Sequence, residues 1–172
     1  AVLSSAHHWW WAISPPGTGG SSFKSDPRYT ASVAFETFPR PYELHELEAT
    51  GESLHDFQVR SQATRKIGLK ALTNLVNDPE CKSADITALR DAYVANDLAV
   101  GRAYSFQSLV DVDLEHDFYD CGQLGTRFTI SAVARRRITD LLLEENFRRY
   151  ADSVEGKDAC LVTGPDGVTR LR

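Results

Sequence analysis

The residues able to do chemistry fall into a carboxylate string with a histidine in it, a few other histidines, and several groups of cations. Asp111, Asp113 and Glu115 alternate through DVDLEHD at 111–117. Alternating oxygen ligands suit a calcium loop, but such a loop needs a glycine at its sixth position to make the turn. Here that position is His116, so the string reads as a solvated loop. His116 beside Asp117 has the composition of a proton-transfer pair, and a small enzyme built on them is one function to weigh. No GxSxG-type nucleophile stands near them, so His116 is expected to be an isolated surface histidine. The GTGG at 17–20 lacks the GK[ST] ending that sets a lysine on phosphates, and reads as a flexible connection.

The cations are more suggestive. Arg135, Arg136 and Arg137 are consecutive, and on a helix three consecutive residues fan across about 200°. They cannot all lie opposite the core. Arg135 and Arg136 are candidates for phosphate contact, in which each neutralised phosphate releases counterions and makes affinity salt-dependent. The competing reading, of equal weight, is a solvated face paired with Asp140, Glu144 and Glu145. Arg60, Arg65, Lys66 and Lys70 form a second set, whose simpler reading is a charged solvent face. Arg28 and Arg40 flank the Phe35-Glu36-Thr37-Phe38 segment and would extend a basic rim.

The elements that must position these groups are mostly helical. Residues 53–76 read as a helix from the spacing of Leu54, Phe57, Ile67, Ala71, Leu72, Leu75 and Val76, with Ser53 as a cap. Asn77-Asp78-Pro79 stops it, because the residue before proline avoids helical geometry. Residues 84–104 read as a second helix, with Ile86, Leu89, Tyr93, Val100 and Tyr104 in the stripe and Asp97 interrupting it. The short link makes an antiparallel helical hairpin, expected to bury Leu72, Leu75, Ile86, Leu89 and Tyr93. Residues 105–126 read as irregular and Arg127–Ile130 as extended. Ser131 sits where an N-cap belongs, ahead of a third helix over 132–150. Residues 28–38 read as a strand ended by Pro39 and Pro41, and 159–171 as a hairpin. Residues 14–27 are loop by composition. Residues 1–13 read as a buried strand or helix edge. The alternative is an aromatic surface at Trp9–Trp11 for a partner domain or nucleic acid. The fold class is mainly α with minor β.

Composition excludes some classes. The 172 residues suit one domain, or one with a small appendage. A net charge of −5 argues against a uniformly basic nucleic-acid binder but allows a local basic face. No apolar run reaches the ~18 residues that a membrane span needs. The three cysteines, Cys81, Cys121 and Cys160, are far apart without CxxC spacing, which fits free thiols and a cytoplasmic location. There is no methionine, even at position 1, and the chain opens on an apolar aromatic cluster. It is therefore expected to be a fragment of a longer chain.

Three blocks then acquire a common meaning. LSSAHHWWWAI, DPRYTASVAFETFPRP, and the long stretch from RKIGLKALTNLVNDP through AVGRAYSF to DVDLEHDFYDCGQLGTRFTISAVARRRITDLLLEENFRRYA stand in this order. They resemble the C-terminal, target-recognition and helical segment of adenine-specific class I DNA methyltransferases. The similarity is to the MmeI-like type IIL restriction–modification enzymes in particular, and it covers roughly residues 1–151. The resemblance implies a parent enzyme whose core binds S-adenosylmethionine and flips the target adenine out of the duplex. This chain has no NPPY-type adenine motif, no glycine-rich cofactor motif and no PD-(D/E)xK nuclease motif. No cofactor site or catalytic residue is assigned in it. It implies the end of a target-recognition region at 1–48, a helical domain at 49–151, and a tail at 152–172 outside the pattern. The expected partners are double-stranded DNA and the methyltransferase core, contacted without catalysis. The DNA-facing candidates are Arg28, Arg40, Arg60, Arg65, Lys66, Lys70, Arg135 and Arg136. The alternative is a protein-interaction module that packs on the core through Trp9–Trp11.

Overall fold

The computed structural model describes residues 1–13, 22–23, 26–27, 29–42, 44–45, 47–104, 111–159, 161–163 and 169–171. The chain is mainly α with minor β. A 3-10 turn at Val2–Ser4 leads into α1 (Ala6–Ile13), and a short hairpin pairs β1 (Ser22–Phe23) with β2 (Asp26–Pro27). A π-helical turn at Ala31–Phe35 precedes α2 (Leu47–Arg65), α3 (Leu69–Val76) and α4 (Ala84–Arg102). β3 (His116–Asp120) pairs antiparallel with β4 (Thr126–Ile130). The long α5 (Ala132–Ala159) and a terminal antiparallel hairpin of β5 (Leu161–Thr163) and β6 (Thr169–Leu171) complete the order. No helix among the described residues is long and apolar enough to cross a membrane.

The N-terminal segment is a helix rather than a strand. Ser5 starts α1 by accepting the His8 N–H on its Oγ at 3.3 Å, and Asp97 Oδ1 accepts the Ala6 N–H at 2.8 Å. Both satisfy donors that a helix start leaves open. Helical geometry also separates the three tryptophans by about 100° each. Trp11 goes into the core, Trp10 is half-buried, and Trp9 stays 44% exposed.

The expected strand at 28–38 is replaced by the π-helical turn at Ala31–Phe35. Strand propensity from Val33, Phe35 and Phe38 loses here to packing on α1. Phe38 is buried edge-on to His8, at 4.8 Å between centroids, and to Trp11, at 6.0 Å. Thr37 Oγ1 donates to Val33 O and keeps the turn wound.

The expected helix over 53–76 begins earlier, at Leu47, and is two helices. Lys66 has φ 54°, a left-handed conformation, and Gly68 caps α3 from extended backbone. The apolar spacing runs across this break, which is why it reads as one helix. The second helix agrees with the expectation, ending at Arg102. The antiparallel arrangement is visible in cross-links that step backwards along α4: Arg65 bonds Asp85, and Gln58 donates to Tyr93 Oη at 2.7 Å. Leu72, Ile86 and Leu89 are buried as expected, with Leu75 and Tyr93 partly buried.

Between 105 and 126 the expectation of irregular chain is corrected at 116–120, which is β3. Gly122 and Gly125 take φ of 62° and 69°, so the chain reverses there at positions that tolerate the left-handed region. Residues 105–110 lie outside the described residues. The third helix extends to Ala159 rather than stopping at 150.

Two cores result. One gathers Trp11, Phe38, Leu47, Val100, Tyr104, Ile130, Ile138 and Leu142. It joins segments on both sides of residue 48. The other gathers Leu54, Leu72, Val76, Ile86 and Leu89. Arg90 braces the second. Its buried guanidinium donates to the carbonyls of Leu75, Val76, Asp78 and Cys81 at 2.7–3.1 Å and sits 4.8 Å from the Phe118 ring centroid. These carbonyls lie at and just past the C-terminus of α3, where the helix dipole favours a cation.

Candidate nucleic-acid interface

The eight candidate cations occupy different situations. Arg28 lies outside the described residues. Arg65 is held by Asp85 in a two-pronged pair at 2.7 and 2.8 Å, and donates to Ser83 Oγ. This bond holds the Asp85 carboxyl well below its usual range and pushes Arg65 up. Arg135 packs its guanidinium 4.2 Å from the Trp10 ring centroid and donates through Nε to Ile130 O. Arg40 lies over the Phe35 ring and Arg60 over the Phe57 ring, each at the exposed surface. Lys66, Lys70 and Arg136 are exposed and form no ion pair among the described residues. Lys66 and Lys70 stand together at the α2–α3 bend, and Arg136 stands apart on α5.

Ser131 does cap α5, accepting the Ala134 N–H at 3.2 Å. The depression beside this helix start is lined by Asp111, Asp113 and Glu115 as well as Arg137. Carboxylates already face the positive end of the helix dipole, so a phosphate there meets like charge. Of the expected negative partners of the arginine run, Glu145 is engaged elsewhere. Glu145 is buried against Arg148 and Arg149, which hold its carboxyl below the usual range.

His116 is not an isolated surface histidine. Its side chain is 4% exposed; Nε2 meets Asp97 Oδ2 at 2.8 Å and Nδ1 meets Leu114 O at 2.5 Å. These hydrogen bonds give both buried groups a polar partner, which their burial requires. Asp117, the neighbour in sequence, is exposed and accepts from its own chain at Phe118 N. Asp97 thus links the start of α1 to β3. The signal for it was the aspartate in the apolar stripe of α4.

His7 is fully buried nearby, stacked on Tyr104 at 6.3 Å, and neither ring nitrogen has a hydrogen-bond partner among the described residues. Burial pushes its pKa down to about 4, with the Asp97 charge acting the other way.

A cleft of about 400 Å³ opens between the two cores. Trp9, Leu3 and Leu69 give it an apolar lining, and Gln58, Tyr93, Arg127 and the Asp97–His116 pair give it polar groups. Reading the sequence had singled out neither the cleft nor Arg127 as a site residue. The cleft's walls come from α1, α2, α3, α4 and β4, which no single motif reports. Comparison of the chain with family models, with curated proteins and with solved structures gives no match.

Proposed function

We propose that this chain is a non-catalytic C-terminal DNA-docking segment of an adenine-specific DNA methyltransferase of the restriction–modification type. The observation that carries the reading is the ordered series of three sequence blocks over roughly residues 1–151. The surface chemistry is compatible with it. Lys66 and Lys70 project from the α2–α3 bend without carboxylate partners among the described residues, and Arg136 is likewise exposed and unpaired among them. Such side chains neutralise phosphates and fix position on a duplex without reading bases. Arg65 and Arg135 act in this reading as braces. Arg65 fixes the bend through Asp85, and Arg135 fixes the start of α5 on Trp10. Methyl transfer belongs to the parent's S-adenosylmethionine-binding core, and no residue here is assigned to it. Titration of a labelled duplex at several salt concentrations tests the reading. Salt-dependent binding supports it, and no binding at low salt sinks it.

A second reading, packing on the methyltransferase core, shifts to a different surface. The Trp9–Trp11 face is reduced to Trp9, because Trp11 is in the core. On α5, Phe147, Tyr150 and Val154 recur at three- and four-residue spacing and are 62%, 68% and 38% exposed. A helix face of this kind suits the groove of a partner domain.

A further inference from the structure

We infer that the cleft between the two cores is a nucleotide-binding site, taking one flat aromatic base with its phosphate. The inference rests on the DNA reading above for its physiological source, an unstacked nucleotide of a DNA strand. The shared chemistry also admits a free mononucleotide.

The lining carries the argument. The cleft holds about 400 Å³, within the range of pockets that enclose small ligands. Trp9 is the one tryptophan whose ring remains substantially exposed, and it lines this cleft. An exposed indole at a pocket wall is a stacking platform, because every base offers a π-face. Arg127 uses its Nε on Leu124 O, and its two terminal nitrogens form no hydrogen bond among the described residues. Among the described residues, Arg127 is the one arginine or lysine of the lining, and its terminal nitrogens offer donors to an anion. Tyr93 Oη accepts from Gln58 Nε2, which leaves the Tyr93 proton and Gln58 Oε1 for a base edge. Stacking surface, a cation and a donor–acceptor pair thus converge on one cavity. An aliphatic ligand would leave Gln58 and Tyr93 unmatched, and a bare phosphate would leave Trp9 and Leu69 uncovered.

The test uses the full chain with two kinds of probe. One is adenosine monophosphate, followed by indole fluorescence. The other is a hairpin duplex with a single bulged adenosine, compared with the same duplex fully paired. The expected result is roughly tenfold tighter binding of the bulged duplex, in line with one base–aromatic stack. Trp9→Ala should remove that preference, Trp9→Phe should keep most of it, and Arg127→Gln should weaken it. Binding of the mononucleotide alone, lost in Trp9→Ala, upholds the site with a free nucleotide as its source and leaves DNA docking unsupported. Equal, salt-dependent binding of both duplexes without mononucleotide binding overturns the cleft assignment and leaves DNA docking standing. A bulge preference that survives Trp9→Ala also overturns it. Failure of every probe sinks both. A thermal melt of each variant separates these losses from unfolding.

Discussion

At the scale of single residues, His7 and Arg90 carry the clearest consequences. His7 is neutral when folded, with its pKa depressed from 6.5 to about 4 by burial. The unfolded chain therefore binds the extra proton first as pH falls. The stability His7 allows is complete above about pH 6.5 and is lost progressively down to about pH 4, by roughly 3 kcal/mol at most. His7→Phe, which keeps a ring against Tyr104, should flatten that part of the profile in urea melts between pH 7 and 4. An unchanged profile would show that His7 is not the group responsible. Asp85 is also depressed, but its loss falls below the ordinary carboxylate range and so in a separate window. Arg90→Met should cost about 3 kcal/mol or more, because four backbone carbonyls, at least partly buried, lose their donor together. A loss under 1 kcal/mol in the same melts would mean that water replaces the guanidinium. Neither role is legible in the sequence. Arg90 is one cation on a helix, and only the fold shows that the end of α3 arrives beside it. Asp97 was visible as an oddity, but its partner His116 lies nineteen residues away on a strand read as loop.

At the scale of elements, the bend between α2 and α3 decides where Lys66 and Lys70 point. Lys66 sits in the left-handed region at φ 54°, which costs a residue with a Cβ about 1 kcal/mol or more. Lys66→Gly should therefore be neutral or stabilise by up to about 1 kcal/mol. In one continuous helix the same change would destabilise by about 1 kcal/mol. The sign of the change in a urea melt separates the two geometries. Apolar spacing made the helices themselves legible, and Ile86, Leu89 and Leu72 are buried where that spacing put them. Spacing says little about a single-residue break, since the stripe resumes in phase beyond it. The extended reading of Arg127–Ile130 matches β4, but β3 and its pairing escaped because the acidic residues dominated the reading, while Gly122 and Gly125 held the turn signal. The Phe147–Tyr150–Val154 face belongs to this scale too. Phe147→Ser/Tyr150→Ser should leave the melting temperature within a few degrees, because both side chains are exposed. It should also abolish co-purification with a methyltransferase core. Retained co-purification would discard that face as the interface.

At the scale of the whole molecule, the proposed DNA docking requires a net charge of −5 to coexist with attraction to a polyanion. The carboxylates are partly neutralised inside the structure, Asp85 by Arg65 and Glu145 by Arg148 and Arg149. Other carboxylates crowd the start of α5, away from the bend. Of the described candidate cations, Lys66, Lys70 and Arg136 are exposed with neither an ion pair nor an aromatic ring beneath them, so the docking reading requires weak, shallow-slope binding rather than tight recognition. Arg135 no longer belongs with Arg136 as an interchangeable phosphate contact. Its substitution should act through the packing of Trp10. The measurement that bears most directly is a salt titration of duplex binding by the full chain and by Lys66→Ala/Lys70→Ala. Three phosphate contacts predict a slope of about −3 in log K against log salt, falling to about −1 in the double variant across unrelated duplex sequences. No binding at low salt, or a double variant with the parent's slope, would contradict the account.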